Sequence, residues 1–176
     1  MSTVTIERPA ADEYAEYYGR YVSKVPDGDI IELLRQQPAE TMALLRGLSP
    51  EQANFAYAPG KWTIKEVIGH ICDAERVFTY RAMRFARNDQ TPLASFDENE
   101  YVANANFASR TLPDLLEELQ AVRAATVCLA KSLDAEALAR RGTASGKEMS
   151  VRALFYVSAG HERHHVALLR ERYLSR

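Results

Sequence analysis

Apolar residues recur at steps of three and four along four stretches of the chain, the spacing of one buried helix face. The first stretch covers about residues 29–46 and carries Ile30, Leu33, Leu34, Leu44 and Leu45 on its apolar side. Asp29 and Glu32 resemble a capping box at its start, and Pro38 predicts a kink or a split. The second opens at Thr63, where Thr63-Ile64-Lys65-Glu66 forms a capping box and Trp62 stands in the staple position before it. Val67, Ile71, Ala74, Phe78, Ala82 and Phe85 carry its stripe toward Asn88. The third begins at Thr111, with Pro113 in its first turn and Leu115, Leu116, Leu119, Val122, Thr126, Leu129 and Leu133 along it. The fourth runs from about Ser150 to Leu174. No segment alternates with period two for long enough to predict a strand. Four amphipathic helices of this kind predict an all-α four-helix bundle.

The intervening segments refine that picture. Residues 1–28 read as a polar arm rich in tyrosine (Tyr14, Tyr17, Tyr18, Tyr21), closed by the turn Pro26-Asp27-Gly28. Residues 29–176 then form the bundle domain. Ser49-Pro50-Glu51 marks a single extra helical turn. Residues 134–148, with Arg141-Gly142 and Ser145-Gly146, read as a turn region. Residues 88–110 form a long connection, and connections of that length in a compact domain are functional or cross over the bundle. A simple up-down-up-down order is therefore not assured.

Composition narrows the function classes. Hydrophobic residues make up 47% and charged residues 26%, which suits a globular chain able to bury a core without disulfides. A net charge of -2 argues against a nucleic-acid coat or a polybasic membrane anchor. No apolar run is long enough for a transmembrane helix, and Met1 to Ala15 lacks the pattern of a signal peptide. Cys72 and Cys128 lie far apart in helical patterns, so two free thiols in a reducing cytoplasm are expected.

The chemistry concentrates in four histidines: His70, His161, His164 and His165. Leu154, Val157, His161, His165 and Leu168 form the apolar stripe of the last helix, so His161 and His165 stand one turn apart on its core-facing side. Two buried imidazoles need many hydrogen-bond partners, and a divalent metal satisfies both at once. A satisfied pair of core histidines is the plainer alternative. His70, near the stripe of the second helix, is the natural third ligand, and a catalytic site keeps a further position open.

Rival constellations are weaker. His161-Glu162-Arg163-His164-His165 fits the H-E-x-x-H pattern of zinc peptidases, with Glu162 as base, but no downstream third ligand follows. Glu162 sits about 60° around the helix from His165 and can still line the site. A carboxylate-bridged di-iron centre needs two Glu-x-x-His motifs, and only Glu162-x-x-His165 is present. Cys72 points away from His70. Arg76, Arg81, Arg84 and Arg87 make a basic edge that reads as a salt-bridged face with Asp73, Glu75 and Asp89, or as a groove for an anionic substrate.

The run from Lys61-Trp62-Thr63-Ile64-Lys65-Glu66 through His70 to Arg76 resembles the second-helix signature of the DinB-like superfamily. Gly160-His161-Glu162-Arg163-His164-His165, followed by Leu168 and Glu171-Arg172-Tyr173-Leu174, resembles its C-terminal helix. Arg87 to Leu93 with Phe96-Asp97-Glu98 resembles a loop of one branch of that superfamily. The resemblance covers roughly residues 28–174.

It implies a four-helix bundle with a crossover-containing topology, often a homodimer. It implies a divalent metal (zinc or nickel, with iron and manganese also found among relatives) held by His70, His161 and His165. It further implies a small-molecule substrate. The first expectation is a cytoplasmic thiol-dependent S-transferase that activates a low-molecular-weight thiol at the metal. Glu162, Asp73 and Asp97 are then candidates for supporting or substrate contacts. The rivals are a metal-dependent hydrolase and a non-catalytic, stress-linked binding bundle. Neither nucleic acid nor membrane is expected as a partner.

Overall fold

The structure is a computed structural model that describes residues 5–175. Its elements are α1 (Glu16–Val22), α2 (Ile30–Leu45), α3 (Pro50–Ala53), α4 (Ile64–Ala86), α5 (Glu98–Asn104), α6 (Leu112–Lys131), α7 (Ala135–Ala139), β1 (Arg141–Ala144), β2 (Lys147–Ser150) and α8 (Val151–Leu168). A π-helical turn, Leu169–Tyr173, extends α8. Among the described residues no helix is long and apolar enough to cross a membrane.

The helices start where capping chemistry places them. Thr63 Oγ1 accepts from the Glu66 amide, and the Glu66 carboxylate accepts from the Thr63 amide at 2.7 Å. Thr111 and Ser150 cap α6 and α8 in the same manner, each accepting the amide three residues on. At α2 the cap is one-sided. Asp29 accepts from the Ile31 amide at 2.9 Å, while Glu32 turns outward to Arg35 instead of closing a box. Pro38 does not split α2, which runs unbroken through it. The neighbouring turns are held by buried Leu34 and Leu45, and their packing outweighs the cost of ~3 kcal/mol that a proline brings to a helix interior.

The four long helices form a ring with a crossed connectivity. The packed pairs are α2 with α6, α6 with α4, α4 with α8 and α8 with α2. Helices α2 and α4, and likewise α6 and α8, are therefore diagonal, so the bundle's crossovers lie in those two links; the connection of residues 88–110, which the sequence offered as a crossover, joins α4 to α6, and these pack side by side. Two apolar clusters fill it. One gathers Leu34, Phe78, Phe85, Leu154 and Phe155, and the other Leu45, Ile68, Leu115, Leu119 and Leu169. Along α2, α6 and α8 the buried polar residues (Gln37 and Thr41, Arg123 and Thr126, His161, Glu162 and His165) lie between the two clusters in sequence.

Residues 134–148, expected from the sequence to be a turn region, instead carry α7 and most of a hairpin that spans residues 141–150. β1 and β2 pair antiparallel from Arg141↔Ser150 to Ala144↔Lys147. Ser145 and Gly146 both have positive φ (53° and 71°), as a two-residue turn matching the strand twist requires. Strands of four residues are too short for a period of two to show. The hairpin also anchors the long connection: Leu93 donates to the Thr143 carbonyl at 2.9 Å and accepts from the Ser145 amide at 3.0 Å.

The described part of the tyrosine-rich arm docks on the bundle. Ile6, Tyr21, Val22 and Val25 are buried in the first apolar cluster, and α1 packs along α8. That packing depends on Gly160. A Cβ there would sit 2.0 Å from the Tyr21 carbonyl oxygen and 2.4 Å from its carbon. Gly160→Ala is expected to destabilise the fold by about 1–3 kcal/mol, because two backbones must part; the gain in helix propensity of at most ~1 kcal/mol does not offset this. Urea denaturation checks it, and an unchanged midpoint would show that α1 is not docked on α8.

Candidate metal centre

His70 projects from α4, and His161 and His165 from successive turns of α8, into one point between these helices and α1. His161 Nε2 lies 3.0 Å from His70 Nε2 and 3.1 Å from His165 Nε2. All three side chains are buried, and among the described residues they are the group of donor atoms able to hold a metal ion. The spacing fits one cation: two nitrogens each ~2.1 Å from a shared ion stand roughly 3.0–3.4 Å apart for angles from square to tetrahedral. His165 Nδ1 is buried without a hydrogen-bond partner. His161 Nε2 carries either one proton or one lone pair and cannot complete good hydrogen bonds to both neighbours at once, so the cluster fits a ligand set better than a satisfied set of core histidines.

Burial also sets the protonation that a ligand set requires. Desolvation pulls the His70 pKa down to about 4. It holds His161 and His165 well below the usual histidine range, aided by repulsion between the clustered imidazoles. All three rings are neutral at neutral pH, with lone pairs available to a cation.

The histidines line a cavity of about 450 Å³ with aromatic walls. The Trp62 ring lies 4.7 Å from His70, Phe78 5.6 Å from His161, and Tyr21 5.2 Å from His161, between ring centres. Arg20, stacked on Tyr17 and Tyr21 and bonded to the Tyr21 hydroxyl at 2.7 Å, brings a cation to the lining, and Lys147 from the hairpin brings another. His164 also lines this cavity, with its ring 5.1 Å from His165, but its nitrogens stand outside the three-atom cluster.

The carboxylate candidates do not join the site. Glu162 is fully buried on another side of α8, where it accepts from Thr41 Oγ1 at 2.6 Å and from Arg123 Nη2 at 2.7 Å. Arg123 also grips Glu75 with two bonds of 2.7 and 2.8 Å, and Thr126 Oγ1 donates to Glu75 at 2.7 Å. Glu162 is therefore a member of an ion network and is not poised as a base over the histidines. Asp73 is turned to Arg76, and burial raises its pKa above the usual aspartate range. Asp97 caps α5, accepting from the Asn99 amide at 2.8 Å, because a helix start offers unpaired amides. Neither Asp73 nor Asp97 lines the histidine cavity. Cys72 is packed in the second apolar cluster, and burial pushes its thiol pKa up.

The sequence reading missed Tyr21, Phe96, Arg20 and Lys147 as walls of the site. Only Trp62 carried a signal, its place before the α4 cap. The others arrive from α1, the long connection and the hairpin, whose docking no local pattern announces.

A crossed four-helix bundle with three buried imidazoles converging at an internal cavity defines a helical protein with a candidate metal centre. The chain belongs to the DinB superfamily, whose family model matches residues 33–169. A Geobacillus kaustophilus protein bearing the provisional name metal-dependent hydrolase is 29% identical over 148 residues, covering 81% of this chain and 83% of the relative. A Bacillus licheniformis protein with the same kind of name is 29% identical over 141 residues, covering 76% and 77%. The solved structure of YfiT from Bacillus subtilis, described as a probable metal-dependent hydrolase with an unusual four-helix bundle topology, superposes with a TM-score of 0.75 over 94% of this chain and 90% of that one, at 18% identity. That likeness shows the fold.

Proposed function

We propose that this chain is a cytoplasmic metal-dependent enzyme that joins a low-molecular-weight thiol to an electrophilic carbon. The observation that carries the reading is three neutral, converging imidazoles in an aromatic cavity from which Glu162 is withheld. A divalent cation bound there, zinc or nickel in the first place, would supply Lewis acidity that draws the pKa of a thiol or water toward neutrality. His70, His161 and His165 hold it, their lone pairs kept free by burial. Trp62, Phe78 and Tyr21 exclude water and pack the apolar part of an electrophile. Arg20 and Lys147 orient anionic groups in the lining. Thiol addition asks no carboxylate base of the protein, and this cavity has Glu98 as its sole carboxylate among the lining residues. The relatives' names favour a second reading, hydrolysis of an ester or amide in the same cavity.

Metal-loaded protein, offered a panel of epoxides, halides and conjugated carbonyls with and without small thiols, decides between them. Turnover that requires the thiol supports the transfer reading. Ester or amide cleavage with no thiol present overturns it in favour of the hydrolase.

A further inference from the structure

Arg81 on α4 carries a charge that no acidic side chain among the described residues offsets; the Phe96 ring lies 5.7 Å from its guanidinium carbon, and the Tyr18 hydroxyl also interacts with it. The Arg81 side chain is 1% exposed. Nη2 donates to the Ala94 carbonyl at 2.8 Å and to Ser145 Oγ at 3.0 Å, while Nη1 is buried with no hydrogen-bond partner. Its neighbours on the same helix differ. Arg76 is paired with Asp73 and Glu118, and Arg84 with Asp89. Among the described residues no carboxylate comes within ion-pair distance of Arg81, Glu98 of the histidine cavity included.

A neutral side chain could strap the long connection to the hairpin through the same two hydrogen bonds. Burying a guanidinium for that purpose alone is costly, since the charge gives up its hydration without gaining a counter-charge. Arg81 also lines a second cavity, of about 560 Å³, walled by the Pro92–Phe96 segment with Tyr80 and Tyr101 beside it. This cavity shares Ser95 and Phe96 with the histidine cavity, and Ser145, which holds Nη2, lines the latter. Both Nη2 protons are taken, so Nη1 is the donor left over beside this recess, and its charge-assisted N–H matches an oxygen of a carboxylate or a phosphate.

We propose that the cavity at Arg81 is an anion subsite that takes a carboxylate or phosphate group of a small organic ligand. As the seat of a substrate's anionic end it builds on the metal-centred function proposed above; as an anion site it stands independently of that function. The substrate class that follows is an anionic molecule with its reacting end at the histidines and its charged end at Arg81.

The test uses inorganic phosphate, with acetate as the carboxylate arm, on the metal-free full chain at constant ionic strength set by sodium chloride. Phosphorus NMR reads phosphate binding directly, and displacement by acetate reads the carboxylate. Saturable binding is expected in the wild type, weakened at least tenfold in Arg81→Gln and unchanged in His161→Ala. If Arg81→Gln does not fold, Arg81→Lys keeps the charge but lacks a second nitrogen, and it is expected to weaken phosphate binding as well. No saturable binding in the wild type, or equal binding in the Arg81 variant, overturns the subsite. Binding lost in His161→Ala but kept in Arg81→Gln overturns it too, by placing the anion at the histidines, and leaves the metal reading standing. Absence of metal from the wild type, with phosphate binding intact, sinks the metal reading alone.

Discussion

Arg123→Met is expected to destabilise the protein by about 4–5 kcal/mol, near the upper part of the range for breaking a buried ion pair. The guanidinium is 2% exposed and sits between the buried carboxylates of Glu75 and Glu162. Its Nη1 also donates to the Leu34 carbonyl at 2.9 Å. With Thr41 on Glu162, the network ties α2, α4, α6 and α8 together at one level. Removing the cation leaves two anionic side chains in the core with no counter-charge, which costs far more than the lost hydrogen bonds. For a chain of this size the melting temperature should fall by roughly 8–20 °C. The triple variant Arg123→Met, Glu75→Gln, Glu162→Gln should recover much of the loss, because it removes the stranded charges as well. Guanidinium denaturation of the metal-free proteins measures both. A loss under about 1 kcal/mol in Arg123→Met would show that the network is not closed as described.

His161→Ala is expected to take bound metal from about one ion per chain to almost none, with affinity weakened more than ~100-fold. The lower bound follows from ligand-supporting residues alone, whose loss costs ~10–100-fold, whereas His161 supplies the nitrogen common to both close pairs. His164→Ala is the matched control. Its ring touches Tyr21 and His165 but contributes no nitrogen to the cluster, so that variant should keep its metal. Elemental analysis of protein purified without chelator or nickel resin reads both variants, and circular dichroism verifies that they fold. Stoichiometric metal retained in His161→Ala would break the three-histidine assignment. Loss of metal in His164→Ala would enlarge the ligand set.

Much of this architecture is local and so is legible in the chain. A capping box, a proline in the first turn and an apolar stripe are interactions among residues within four positions of each other, which is why the starts of α4, α6 and α8 fall where Thr63, Thr111 and Ser150 place them. The one-turn spacing of His161 and His165 is equally local, and with His70 it singles out the three residues that converge.

The rest was decided by which faces meet. Helical-wheel reasoning assumes that a helix has a wet side, and α8 has almost none from Ala153 to Glu162, because α1, α2 and α4 enclose it. Glu162 could therefore look like a neighbour of the histidines in sequence and yet belong to a different buried surface. Its partner Arg123 lies 39 residues away, and Glu75 lies 48 residues from Arg123. No periodicity links residues so far apart. The chain by itself determined four amphipathic helices, their start points and a trio of candidate ligands, because these depend on short-range geometry. Only the tertiary structure decided that Glu162 and Asp97 serve the scaffold, that the tyrosine arm and the hairpin wall the cavity, and that Arg81 is left without an acid. Those outcomes depend on which elements dock together, and therefore on which buried charges find a counter-charge.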